Sequence, residues 1–115
     1  MQDNETTIKA LKDIVSKFIN EREWEQFHSP KNLSMSIAIE ASELMELYQW
    51  LSLKEAENVM KKGETRSNAI DEIADVLIYS ISFCISNKID IAKAISGKMK
   101  KNIAKYPKNK FKGNF

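Results

Sequence analysis

Two acidic pairs carry the chemical interest of this chain: Glu40 and Glu43 in "EASE", and Glu72 and Asp75 in "EIAD". Within each pair the carboxylates are three residues apart, a spacing that places both on one face of a helix. The faces concerned are otherwise apolar. At about 100° per residue, Leu33, Ile37, Leu44, Leu47 and Leu51 fall in one narrow stripe, with Glu40 at its centre and Glu43 at its edge. Glu72 and Asp75 sit in a stretch dominated by Ile, Val and Leu. A carboxylate on a face meant for burial is costly unless something pairs with it. If the two faces meet, four carboxylates converge, repel one another and take up protons. A divalent cation removes the conflict. An all-oxygen donor set without Cys or His suits Mg²⁺, with Mn²⁺ as a substitute. The common use of Mg²⁺ on clustered carboxylates is to hold phosphates and activate water for in-line attack on phosphorus.

Rival readings exist for the same residues. Acidic pairs at this spacing are frequent on solvated helix faces, so neither pair alone points to a metal; their shared placement toward apolar faces does. Glu46 lies off the stripe and reads as a solvated residue or an outer helper, and Asp71 reads as structural. A di-iron bundle would need Glu-x-x-His motifs from two helices, whereas the chain has one histidine, His28, in a loop. Three scattered glycines cannot build a phosphate-binding P-loop.

The elements that must position these groups are helical throughout. Apolar residues at helical spacing mark a first helix from about Thr6 to Glu23. "WEQFHSPKN" (24–32), with Pro30 and a polar cluster, reads as a loop. A second helix, capped by Asn32 or Ser34, runs to about Leu51. A short helical piece follows and stops at Gly63, and a long helix spans about Glu64 to Ser86. "NKID" turns the chain into a last helix from about Asp90 to Lys105, and Pro107 ends regular structure. The expected fold class is all-α, a bundle of four to five helices: a single domain over residues 1–107 and a basic tail over 108–115. The helix at 64–86 is apolar around nearly its whole circumference. A chain of 115 residues rarely surrounds such a helix completely, which implies a homo-oligomer interface.

Composition bounds the remaining possibilities. With 43% hydrophobic and 30% charged residues, the chain has the make-up of a globular protein. No stretch reads as a signal peptide or a membrane span, and the one cysteine, Cys84, fits a reducing cytoplasm. The net charge of +2 conceals an asymmetry: residues 91–115 hold eight of the 18 basic groups and none of the 16 acidic ones. An acidic body with a basic end suits nucleic acid or a polyphosphate held on the carboxylates, or reflects only a solvated tail.

The acidic pairs and their flanks together resemble the MazG-like, all-α nucleoside triphosphate pyrophosphohydrolases. "EASE" and "EIAD", separated by 28 residues, resemble that family's ExxE…ExxD signature. "REWEQFHSPKNL" (22–33), "ELYQW" (46–50), "DEIADVLIY" (71–79) and "KMKKNIAKYP" (98–107) are similar to its dCTP pyrophosphatase branch. The resemblance implies Mg²⁺-dependent hydrolysis of a (deoxy)nucleoside triphosphate to the monophosphate and pyrophosphate. It implies nucleotide-pool house-cleaning and a homotetramer built as a dimer of dimers, with no membrane and without nucleic acid as the expected partner. By the same resemblance, Glu40, Glu43, Glu72 and Asp75 are catalytic metal ligands. Trp24, Glu25, Gln26, Phe27, His28, Trp50 and Tyr79 match positions lining the nucleotide pocket. Lys98, Asn102, Lys105 and Tyr106 match positions reaching the phosphates. Val15 stands where the dCTP branch is expected to carry a histidine near the base. The alternative reading is a non-catalytic helical module that binds nucleic acid or a protein partner through its basic C-terminus.

Overall fold

Helices begin where a short polar side chain can accept a bond from the free N–H groups of the first turn. The computed structural model, which describes residues 1–114, shows this at most of the helix starts. α1 (Ile8–Glu21) opens behind Thr7, whose hydroxyl accepts from the Ala10 N–H at 3.1 Å. It ends before Glu23, whose φ of 52° is left-handed, and a 3₁₀ turn (Trp24–Phe27) follows. α2 (Pro30–Glu46) is capped by Ser29, which accepts from the Asn32 N–H at 3.1 Å. Neither Asn32 nor Ser34 is therefore the cap, and Pro30 opens the helix rather than interrupting the chain. The reason is that proline's fixed φ suits the first helical turn, where its missing N–H has no partner to lose. α2 also stops at Glu46, short of Leu51, and residues 47–50 form turns.

α3 (Leu53–Val59) starts with a capping box. The Ser52 hydroxyl accepts from the Glu55 N–H at 3.2 Å, and Glu55 accepts in return from the Ser52 N–H at 2.9 Å. Gly63, at a φ of 103°, supplies the bend into α4 (Glu64–Ser86), whose limits are those expected from the sequence. Asp90 caps α5 (Ile91–Lys105) by accepting from the Lys93 N–H at 2.8 Å. Pro107 does not end regular structure. It precedes one more turn of helix, α6 (Lys108–Phe111), another use of proline at a helix start. The expected tail of residues 108–115 thus holds a helix, while its last residue, Phe115, lies outside the described residues. The fold is all-helical among the described residues, with more helices than the four to five expected.

α2 and α4 form the main interface, and α1 packs on α4 beside it. α2 and α4 run antiparallel. At one end the Ser86 hydroxyl donates to the His28 carbonyl at 2.9 Å; further along, Glu40 and Glu43 of α2 meet Glu72 of α4. The Lys12 ammonium ties α1 to the turn after α4 by donating to the Ile89 carbonyl at 2.8 Å.

The core is thin: among the described apolar residues only Val15, Ile19, Leu33 and Ala69 are buried. Ile70, Ile73, Leu77 and Ile78 of α4 remain largely exposed, as do Ile95, Met99 and Ile103 of α5. α5 makes no packing comparable to the α2–α4 interface. The radius of gyration is 17.2 Å, against about 13 Å for a compact domain of this length. Among the described residues, no helix is long and apolar enough to cross a membrane.

Candidate active site

The antiparallel register of α2 and α4 brings Glu40, Glu43 and Glu72 to one place. One carboxylate oxygen from each lies within 4.8 Å of the others. Glu40 and Glu72 are half-buried, and Glu43 is exposed and closes the cluster on the solvent side. The Oε2 atoms of Glu40 and Glu72 are both buried and have no hydrogen-bond partner. Such groups ordinarily find one, because an unpaired buried oxygen loses its hydration without compensation. The Glu40 carboxyl is pushed up to about 7, first by burial, then by its hydrogen bond with Glu43 and the charges of Glu43, Asp75 and Glu72. Glu72 is raised as well, again first by burial and then by Glu43. Two orphaned oxygens in a set of hard carboxylate donors fit a divalent cation such as Mg²⁺.

Asp75 is not within that group of three. One turn further along α4, it faces a hollow of about 340 Å³ between α1, the 3₁₀ turn and α4. Val15, Phe18, Trp24 and Ile78 give this hollow apolar walls, and Tyr79, His28 and Ser82 give it polar edges. Phe18 and Trp24 meet edge to face, with ring centroids 5.6 Å apart, which stiffens the outer wall. A second hollow, of about 280 Å³, adjoins it and shares Ile19, His28 and Ser82. Glu25, Asn20, Ser16 and Ser86 line this second space. A carboxylate cluster loaded with a divalent cation, beside an apolar slot with a polar far end, can hold a molecule that is anionic at one end and flat at the other.

A family model described as "MazG-like family" matches residues 35–114, more than half of the chain. The chain belongs to the MazG-like family. Rat dCTP pyrophosphatase 1 is 34% identical over 110 residues, covering 96% of this chain and 65% of that protein. The human dCTP pyrophosphatase 1 is 34% identical over 103 residues, covering 90% of this chain and 61% of its own length. The MazG-like chain thus spans somewhat under two thirds of the curated relatives it matches. A crystal structure of a pyrophosphatase from Archaeoglobus fulgidus superposes with a TM-score of 0.82 at 38% identity, covering 93% of this chain and 98% of that one.

Within this MazG-like chain, the other residues singled out from the sequence are scattered. Trp24, His28 and Tyr79 line the first hollow, and Glu25 lines the second. The Gln26 amide turns back to donate to the Glu23 carbonyl at 3.0 Å, and Phe27 is exposed. Trp50 is 87% exposed in the turn after α2. Lys98 and Lys105 stand exposed on α5, where Asn102 is half-buried. Tyr106 packs edge to face on Phe111 at 5.3 Å and borders a separate shallow surface with Ile103 and Pro107. None of these last five lines either hollow beside the carboxylates in the single chain. Ile14, Phe18, Ile78 and Ser82 also line the first hollow, although their spacing alone marks them only as apolar or helical positions. The available signal was Ser82 itself, a hydroxyl inside the apolar run of α4.

Proposed function

We propose that this protein hydrolyses a (deoxy)nucleoside triphosphate, a pyrimidine such as dCTP or a modified dCTP, to the monophosphate and pyrophosphate. The observation that carries the reading is the meeting of Glu40, Glu43 and Glu72 with two buried oxygens left without partners. Relatives named dCTP pyrophosphatase 1 and a solved archaeal pyrophosphatase support it.

Glu40, Glu43 and Glu72, joined by Asp75 from the next turn of α4, would hold Mg²⁺ or Mn²⁺. When bound, the metal neutralises triphosphate charge and lowers the proton affinity of water. In the reaction a water oxygen forms a bond to the α-phosphorus, and the bond from that phosphorus to the bridging oxygen breaks. The chain's own side chains supply position and proton handling. Glu43, on the solvent side of the cluster, orients the attacking water and receives its proton at a carboxylate oxygen. Trp24 and Phe18 confine the nucleoside, and Tyr79 supports it from α4. Lys98, Asn102, Lys105 and Tyr106 act on the phosphates when brought there by another copy, and Trp50 closes the pocket in the same assembly.

An assembly of chains, a homotetramer arranged as a dimer of dimers, would cover the apolar faces of α4 and α5. The single cysteine suits a cytoplasmic setting, where a pool-cleansing hydrolase would meet its substrate. The direct test measures pyrophosphate release from dCTP with Mg²⁺. Glu40→Ala and Asp75→Ala should each lower it by about 100-fold or more, and wild-type release from both variants would refute the proposal.

A further inference from the structure

Ser82 is the one polar residue of α4 that is fully buried, 3% exposed, in a stretch otherwise made of Ile, Phe and Cys. Its hydroxyl donates to the Ile78 carbonyl one turn back at 2.8 Å. That bond uses its only hydrogen, so what remains is a pair of acceptor lone pairs. Ser82 also stands where the two hollows join, because it lines both. From Asp75 to Ser82 is seven residues, about 10 Å along the helix axis. That is the order of length separating a nucleotide's α-phosphate from the far edge of its base.

The space beyond Ser82 offers acceptors at Ser82, Glu25 and Ser86, and has the Ser16 hydroxyl and the His28 ring elsewhere on its lining. Glu25 lines it with a carboxylate, held from behind by Asn20. With its side-chain amide oriented to satisfy both neighbours, Asn20 donates to Glu25 Oε1 and to the Ser16 carbonyl at 3.2 Å. The Ser86 hydroxyl is likewise spent as a donor, on the His28 carbonyl. A base entering from the apolar slot would meet Ser82 Oγ and Glu25 Oε2, both seeking hydrogens. An exocyclic amino group offers two. A carbonyl oxygen set between Ser82 Oγ and Glu25 Oε2 would face lone pairs and leave both unpaired, and only a shift toward the Ser16 hydroxyl or the His28 ring would give it a donor.

Taking the site as a nucleotide pocket, we infer that Ser82, seconded by Glu25, is the specificity-determining residue for the base. The pair selects the amino edge of cytosine over the carbonyl edge of uracil or thymine, in a chain where Val15 supplies only an apolar wall.

The test is binding of the non-hydrolysable α,β-imido analogues of dCTP and dUTP, with Mg²⁺, measured by calorimetry on the full chain. Wild-type protein should prefer the cytosine analogue. Ser82→Ala, nearly isosteric and a good helix former, should retain its helical circular dichroism and lose about tenfold of that preference. Glu25→Gln, which puts an amide donor among the acceptors, should move the preference toward the uracil analogue. Equal binding of both analogues by the wild type, binding of neither, or a preference that survives in Ser82→Ala would overturn the inference. Hydrolysis of dCTP is followed separately. If the selectivity appears without hydrolysis, the enzymatic reading fails while the role of Ser82 stands.

Discussion

Glu40 links the fold's stability to its proposed chemistry. Its carboxyl is raised from 4.5 to about 7, chiefly by burial and then by Glu43. Between those values the folded chain binds more protons at this site than the unfolded chain does. Stability from Glu40 is therefore complete below the unfolded value and falls as pH rises through about 7. Glu72 acts in the same direction. In chelator, the metal-free protein should melt at a lower temperature at pH 8 than at pH 5.5, and Glu40→Gln should flatten that dependence. Added Mg²⁺ competes with those protons, so its apparent affinity should rise across the same window and its binding should release protons. Calorimetry in buffers of different ionisation enthalpy would read that release directly.

At the scale of elements, the antiparallel pair α2–α4 presents the carboxylates, and the caps set where each helix begins. Ser29 is a telling case. The polar cluster before α2 reads in sequence as a loop containing Pro30, with the cap at Asn32 or Ser34, yet Ser29 and Pro30 start the helix together. Several Ser and Asn residues compete in that segment, and periodicity alone does not choose among them. By contrast the limits of α4 were legible, because Gly63 and the apolar run beyond it leave little room for another boundary. α3 contributes no carboxylate to the cluster and has a complete capping box. Ser52→Ala should therefore cost about 1 kcal/mol of stability in chemical denaturation, with pyrophosphate release per folded molecule little changed.

For the whole molecule, the decisive fact is that the single chain leaves so much apolar surface uncovered. The radius of gyration is 17.2 Å, and exposed Ile95, Met99 and Ile103 on α5 are part of the surface that the proposed assembly would cover. Sedimentation should give a mass that is a multiple of 13.2 kDa, four-fold in our proposal. Ile103→Glu should reduce that multiple and weaken activity through the loss of Lys98 and Lys105 from a neighbouring pocket. An unchanged mass and rate would separate α5 from the assembly. What the sequence determined unaided was the set of chemical groups and their local geometry. Residues three apart on a helix share a face whatever the rest of the chain does, so the pairs Glu40/Glu43 and Glu72/Asp75 were readable directly. Only the tertiary structure decided that Glu40, Glu43 and Glu72 meet while Asp75 turns to the adjoining hollow, and that Ser82 lines both of two adjoining spaces walled by α1 and the 3₁₀ turn. Those relations depend on the register and crossing of helices far apart in the chain, which side-chain packing sets and a helical repeat does not encode.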